Sequence, residues 1–530
     1  MNFTKLMDTL ARSSAQAVST LGHGSPEADQ LKDYLYIETS IEHDFKVALD
    51  NISDQRAIIF LCGSSGDGKS EILKRHYQKY SDHITFHLDA THSFKPDQNA
   101  IEALDQVFDR YKEAGKPLVV GINVGMLFNY ASTGSERHVE IKQSIERFTQ
   151  SESPIDGHIF LNFEDYPKFS LQNGEAGSAF ISELLDKIAA PIEANPLYLS
   201  YQNACRNHQS RVFDNYRLLQ IKEVRERIVT LLLFARLRYD QFLSARTLLD
   251  FVHHLICGPG SLFDNLFIRG QNELADIVSH FDPCSVRTQK IDQFLVQQSL
   301  GVSGTEFGEF KSQFLNDFCF GDLEPSEWLR AFYVLSGHPI GNNYHQRFAS
   351  DFKESLYERY IEVWRLHQHY DHSSEKKQLV RHFYKDQIVS ALMRFGNRLQ
   401  PSLTSRRQIY LSERNGVVIS AEADVRPDLK RIQEAQTKSI HHFYVCLKVG
   451  DEQVRPLPIN VSFLELILKI NDGYRPNKHD KNTIVILEEM IDEITKVARQ
   501  AKTIHFTSGT NHVSLTNEVD DDEFVVGGME

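Results

Sequence analysis

The stretch that most restricts the fold of this 530-residue chain lies between Ala57 and Tyr77. Ala57-Ile58-Ile59-Phe60-Leu61-Cys62 is a short, unbroken apolar run, the pattern of a parallel strand buried on both faces. It passes directly into Gly63-Ser64-Ser65-Gly66-Asp67-Gly68-Lys69-Ser70, and Glu71 to Tyr77 then reads as a helix. Strand, glycine-rich turn and helix in that order fit the pattern GxxxxGK[ST]. Glycines let the backbone curl until its N–H groups converge, and a helix start adds a positive field; together they cradle an anion. The expectation is therefore that residues Gly63, Ser64, Ser65, Gly66, Asp67, Gly68, Lys69 and Ser70 hold a nucleoside triphosphate, ATP first among them. Lys69 is expected to reach the β- and γ-phosphates, and the Ser70 hydroxyl to hold Mg2+. The alternative is a glycine-rich turn that binds nothing.

Three further apolar runs extend the pattern. Ile84 to Asp89 reads as a second strand, Leu118 to Asn123 as a third and Ile159 to Phe163 as a fourth. Between them, Ile101, Leu104, Val107 and Phe108 recur at helical spacing from about Asn99 to Glu113, and a polar helix lies around Glu140 to Thr149. Strands alternating with helices predict a parallel α/β sheet.

Hydrolysis asks for an acid at a strand end, to hold the metal's shell or to orient water. The third strand instead ends in Asn123, followed by Val124 and Gly125, with no acidic pair. The nearest acids at strand ends are Asp89 after the second strand, and Glu164 and Asp165 after the fourth. Each also reads as a turn or helix-capping residue. Asn162, at the tip of the fourth strand, is placed to sense a γ-phosphate or position water, or simply ends a strand. Val485 to Glu489 mimics an apolar strand with two acids, but Ile484, Leu487, Ile491 and Ile494 form a helical stripe.

From about Asn215 to Cys257 the period is helical, and Gly258-Pro259-Gly260 ends that unit. A helical lid is expected here, with Arg246 near a helix start as a γ-phosphate contact or a salt-bridged surface group; Arg287 is a weaker candidate. Residues 351 to 399 are again helical. His367, His369 and His372 crowd together there without ligand spacing, so a solvated helix end is expected. Past Pro401, strands are expected at Gln408 to Leu411, Val417 to Ile419 and Phe443 to Val449. The expected fold class is α/β, a P-loop NTPase sheet with a helical lid, then helical and mixed α/β regions. The expected divisions are 1–200, 201–300, 301–400, 401–515 and an acidic tail, 516–530.

Composition narrows the class. With 41% hydrophobic and 25% charged residues the chain is globular rather than disordered. A formal charge of −14 argues against a surface that binds nucleic acid everywhere. Even so, Arg394, Arg398, Arg406, Arg407 and Arg414 bunch around Tyr410, either to track a nucleic-acid backbone or as an ordinary charged surface. The six cysteines are scattered, with no CxxC pair, and read as structural thiols. No apolar run reaches 18 residues and the first twenty lack a signal-like core, so the expected location is the cytoplasm.

On these residues the chain resembles the DptF family, the ATPase component of the bacterial phosphorothioation-dependent DNA restriction system. The likeness rests on Phe60-Leu61-Cys62-Gly63 to Ser70 with Glu71-Ile72-Leu73. Leu118 to Asn123, Ile159 to Tyr166 and Phe281-Asp282-Pro283 support it. It implies an ATPase that works with other subunits of a restriction complex against DNA lacking phosphorothioate. The element order also resembles an AAA+-type module, which puts Asn162 at the first sensor position and Arg246 at the second. The missing acids at Asn123 depart from that pattern. They keep open a nucleotide-gated scaffold with little hydrolysis; a phosphotransferase shares only the loop.

Overall fold

The computed structural model describes residues 2–11, 26–52, 57–88, 90, 99–150, 152–155, 157–172, 175–205, 210–241, 243–318, 323–353, 355–437, 440–509, 511–518 and 523–528. The chain forms two compact units: residues 1–235 with 241–353, and residues 236–240 with 354–530. The divisions expected near 200 and 300 fall inside the first unit, and the one at 400 inside the second.

The first unit is built on a four-stranded parallel sheet: β1 (Ile58–Gly63), β2 (Thr85–His87), β3 (Leu118–Asn123) and β4 (His158–Asn162), in the order β2-β3-β1-β4. Every residue of β1 is buried, as an unbroken apolar run requires. Alternate side chains point to opposite faces. Ile58, Phe60, Cys62, Leu118, Val120 and Ile122 therefore share one core, and Ile59, Leu61 and Val119 the other. The first core is covered by α3 (Ala100–Ala114), α4 (Val124–Thr133) and α5 (Val139–Thr149). The second is covered by α1 (Ser40–Asp50) and α2 (Lys69–Tyr80).

This partition follows from handedness. The crossover from β1 to β2 runs one way along the sheet, and those from β2 to β3 and β3 to β4 run the other. Right-handed connections then place α2 on one face and α3 to α5 on the opposite face. Asn99 fixes the start of α3 through a reciprocal cap with Glu102. At the sheet edge, Phe60, Phe160 and Phe148 stack in sequence, with ring centroids 4.6 and 4.5 Å apart. The rest of the unit is largely helical, including α6 (Arg211–Gln220), the part of α7 (Lys222–Tyr239) up to residue 235, and α8 (Ala245–Cys257).

The second unit combines helices with an antiparallel sheet of β5 (Gln408–Arg414), β6 (Val417–Glu422), β7 (Thr503–Ser508), β8 (Asn511–Glu518) and β9 (Glu523–Gly527). The order is β9-β8-β7-β6-β5. The boundary expected at 516 falls inside β8, where Thr516 pairs with Thr503 and Val525 as the alternating run from Asn511 extends the sheet. Asp520, Asp521 and Asp522 lie outside the described residues. Among the helices are α9 (Ser355–Gln368) and α10 (Lys481–Ala498). Helix α10 buries Leu487, Met490, Ile491 and Ile494 and leaves Glu488 and Glu489 exposed, as the stripe requires.

Candidate functional site

The glycine-rich segment leaves the carboxyl end of β1 and closes into α2. Gly66 and Gly68 have φ of 85° and 101°, the left-handed region that glycine enters without a Cβ penalty. Gly63 is also required: a Cβ there would lie 2.9 Å from both Asp67 Oδ2 and a Phe163 ring carbon. A Cβ on Gly68 would meet nothing within 4 Å, so the curl opens at this point. Ser64 and Ser65 are exposed, and Gly68, Lys69 and Ser70 half-buried. Lys69 and Ser70 begin the 12-residue α2, so their N–H groups sit at the positive end of a helix.

The side chains of Lys69 and Asp67 both brace the curl. The Lys69 ammonium folds back along it and donates to the carbonyls of Gly63 (3.1 Å) and Ser64 (2.6 Å). Asp67 turns inward, where its Oδ2 accepts from the Ser64 N–H at 2.7 Å. The residues present fit a polyphosphate with Mg2+: a glycine curl open at Gly68, an ammonium on the curl, and a half-buried hydroxyl at the first turn of the helix.

The strands flanking β1 bring two asparagines to the same edge. Asn123 is in register with Gly63, and Asn162 with Cys62. Asn162 is buried, and its Oδ1 accepts from the Glu164 N–H at 3.3 Å, so it caps the short turn Phe163–Asp165. Asn123 precedes α4 but makes no side-chain capping bond. Glu164 and Asp165 are both exposed. Burial pushes the Cys62 thiol up to about 12; the Lys69 charge pulls it down and the Asp165 charge pushes it up. Asp165 and Lys69 thus act on one point at the base of the curl. Asp89 lies outside the described residues.

Arg246 stands at the start of α8, whose first turn is capped by Ser244 Oγ accepting from the Thr247 N–H. A Cβ on Gly66 would be 3.0 Å from Ser244 Oγ and 3.4 Å from Arg246 Cβ, so α8 begins against the curl. Arg246 is half-buried, and among the described residues its guanidinium takes no hydrogen bond or ion pair. Arg287 is distant from this role: it is exposed and 3.4 Å from Asp292.

Two residues beside the curl were not candidates from the sequence: Asn123, which was noted only for the acids it lacks, and Lys168. For Asn123 the signal was present, a polar residue ending the most apolar strand after β1, but only the strand order shows that it adjoins Gly63. Nothing local marked Lys168, whose Nζ lies 3.4 Å from Asp67 Oδ1.

In the second unit, Arg394, Arg398, Arg406, Arg407 and Arg414 are all exposed, with Tyr410 half-buried. Arg394 donates to the Asn471 carbonyl, and Arg398 lies over the Phe395 ring at 4.3 Å. His367 is in the interior rather than at a solvated helix end: Nδ1 meets the Val363 carbonyl at 2.8 Å and Nε2 the Tyr384 hydroxyl at 3.1 Å. Among the described residues no helix is long and apolar enough to cross a membrane. No family model, no curated protein and no solved structure matches the chain.

Proposed function

We propose that the first unit is a P-loop NTPase domain that binds Mg-ATP in the curl from Gly63 to Ser70 and hydrolyses it. The observation that carries this reading is the curl itself: two left-handed glycines, an opening at Gly68, and Lys69 and Ser70 at a helix start on the edge of a parallel sheet. Backbone N–H groups of the curl bind the polyphosphate, and Lys69 exchanges its two carbonyl contacts for phosphate oxygens. Ser70 supplies the hydroxyl ligand to Mg2+, which when bound neutralises charge on the phosphates. Asn123 and Asn162 orient water at the strand ends, with Asp89, Glu164 and Asp165 as the acids within reach of that role by chain position. Arg246 approaches from α8, the helical lid of this reading.

The resemblance to the DptF family extends the reading to a defence complex. In it, ATP turnover drives partner subunits against DNA without phosphorothioate, and the arginines around Tyr410 form a DNA-contact surface. The Lys69→Ala protein tests the core of the proposal. Calorimetry with Mg-ATP is expected to give heat with the wild type and none with the variant; equal heat from both rejects the curl as the site.

A second reading has its own support. Both strands adjoining β1 end in asparagine rather than in a carboxylate, the pattern of a nucleotide-gated scaffold that binds ATP and orders partners while scarcely hydrolysing it. Multiple-turnover release of free phosphate by the isolated protein separates the two, since a scaffold releases almost none.

A further inference from the structure

Lys168 is remote from the glycine-rich segment in sequence, yet its ammonium joins two parts of the site. Nζ is 3.4 Å from Asp67 Oδ1 and also donates to the Leu243 carbonyl. The Asp67 side chain is only 1% exposed and that of Lys168 21%. A carboxylate so enclosed needs a cation or N–H partners, and Asp67 has both, Lys168 on one oxygen and the Ser64 N–H on the other. Leu243 immediately precedes Ser244, the cap of α8. The curl therefore meets the start of α8 twice, by packing of Gly66 against Ser244 and Arg246 and through the chain Ser64–Asp67–Lys168–Leu243.

We propose that Lys168 is a positioning residue that transmits occupation of the curl to the start of α8, and so sets Arg246. The proposal rests on the nucleotide-binding reading above. A polyphosphate in the curl competes for the Ser64 N–H, which Asp67 holds, and for Lys69, which the Gly63 and Ser64 carbonyls hold. Asp67 must then shift its bonds. Because its carboxylate is buried, it takes Lys168 with it rather than exchanging the cation for water. Lys168 in turn carries the Leu243 carbonyl, one residue before the cap. A ligand moves α8 by this route only as far as its contacts differ between the two arrangements.

The test uses the full chain with a slowly hydrolysed Mg-ATP analogue as probe. Calorimetry gives affinity, and amide hydrogen exchange across 245–257 gives the response of α8. In the wild type, saturation with the analogue is expected to slow exchange in α8 about fivefold or more, a typical coupling for linked sites. Lys168→Met is expected to bind within about threefold of wild type while that protection disappears; Lys168→Arg, which keeps the cation, restores it. In turnover assays Lys168→Met lowers kcat with little change in KM. Should Lys168→Met fold poorly, Asp67→Asn removes the ion pair while keeping an oxygen for the Ser64 N–H, and the same loss of protection is expected. Wild-type protection in a saturated Lys168→Met or Asp67→Asn protein overturns the role of Lys168 and leaves nucleotide binding standing. No heat with the wild type overturns the nucleotide reading itself.

Discussion

Gly63 and Asn123 face each other as the last registered pair of β1 and β3. Adjacent strands lie about 4.8 Å apart, so this amide is one strand spacing from the residue that opens the glycine-rich curl. Its side chain is half-buried and makes no capping bond to α4, and in the proposed hydrolytic reading it orients water. Asn123→Ala is expected to lower kcat for ATP by about tenfold to a hundredfold while changing the calorimetric Kd little, as when one oriented polar group is removed from a reacting centre. An equal loss in Kd would place Asn123 in binding instead.

Gly121 lies inside β3 for a steric reason. A Cβ there would come within 2.6 Å of Leu73 Cδ1 and 2.8 Å of the Leu88 carbonyl oxygen, and the oxygen belongs to backbone that cannot rotate away. Gly121→Ala is expected to destabilise the first unit by about 1–3 kcal/mol, the usual effect of overpacking. Chemical denaturation followed by a probe in that unit measures it; an unchanged midpoint would show that β2 and α2 retreat freely.

Acid should weaken the second unit through His367. Burial holds its folded-state pKa down at about 4, against an ordinary 6.5. Above pH 6.5 the imidazole is neutral whether folded or unfolded, and its stabilising share is complete. Between about 6.5 and 4 the unfolded chain takes up a proton that the folded one refuses, so stability falls as pH falls through that window. The loss reaches on the order of 3 kcal/mol. Denaturant titrations at steps across the window, in wild type and His367→Phe, should show a flatter profile in the variant.

Thiol accessibility offers a chemical check on packing. Cys62 and Cys446 are buried, and burial pushes their thiols up to about 12 and about 11; Cys205 is exposed. Alkylation of the native protein at pH 8 is expected to label Cys205 well before Cys62 or Cys446, since the thiolate is the reactive form. Mass spectrometry of the digest reads the order. Early labelling of Cys62 would mean that β1 is not enclosed.

What could be read from the chain was local. An unbroken apolar run became β1, the glycine spacing became a curl with two left-handed residues, and Leu118 to Asn123 became β3 with the expected bounds. Asn99 before an apolar stripe was enough to start α3. Such features are legible because burial and backbone sterics act over a few neighbouring residues. Strand order was not, because which apolar run lies beside which depends on the crossovers. Asn123 therefore read only as a site lacking acids. Lys168 carried no pattern at all: its meeting with Asp67 joins positions about a hundred residues apart. The end of the chain misled for the opposite reason, since its acids outweighed the alternation from Asn511 that builds β8.

The pairing of β6 with β7, Ala421 against Ile504, has a consequence for biosynthesis. The parallel sheet has all four strands once residue 162 has emerged, whereas the antiparallel sheet awaits a strand roughly 340 residues later. At about 5–20 residues per second that is an interval of some tens of seconds. Only the last stretch of it, the roughly 80 residues and about 4–16 seconds between the end of β6 and the start of β7, leaves β5 and β6 as a hairpin whose inner edge has no partner, at a stage when the first sheet can already form.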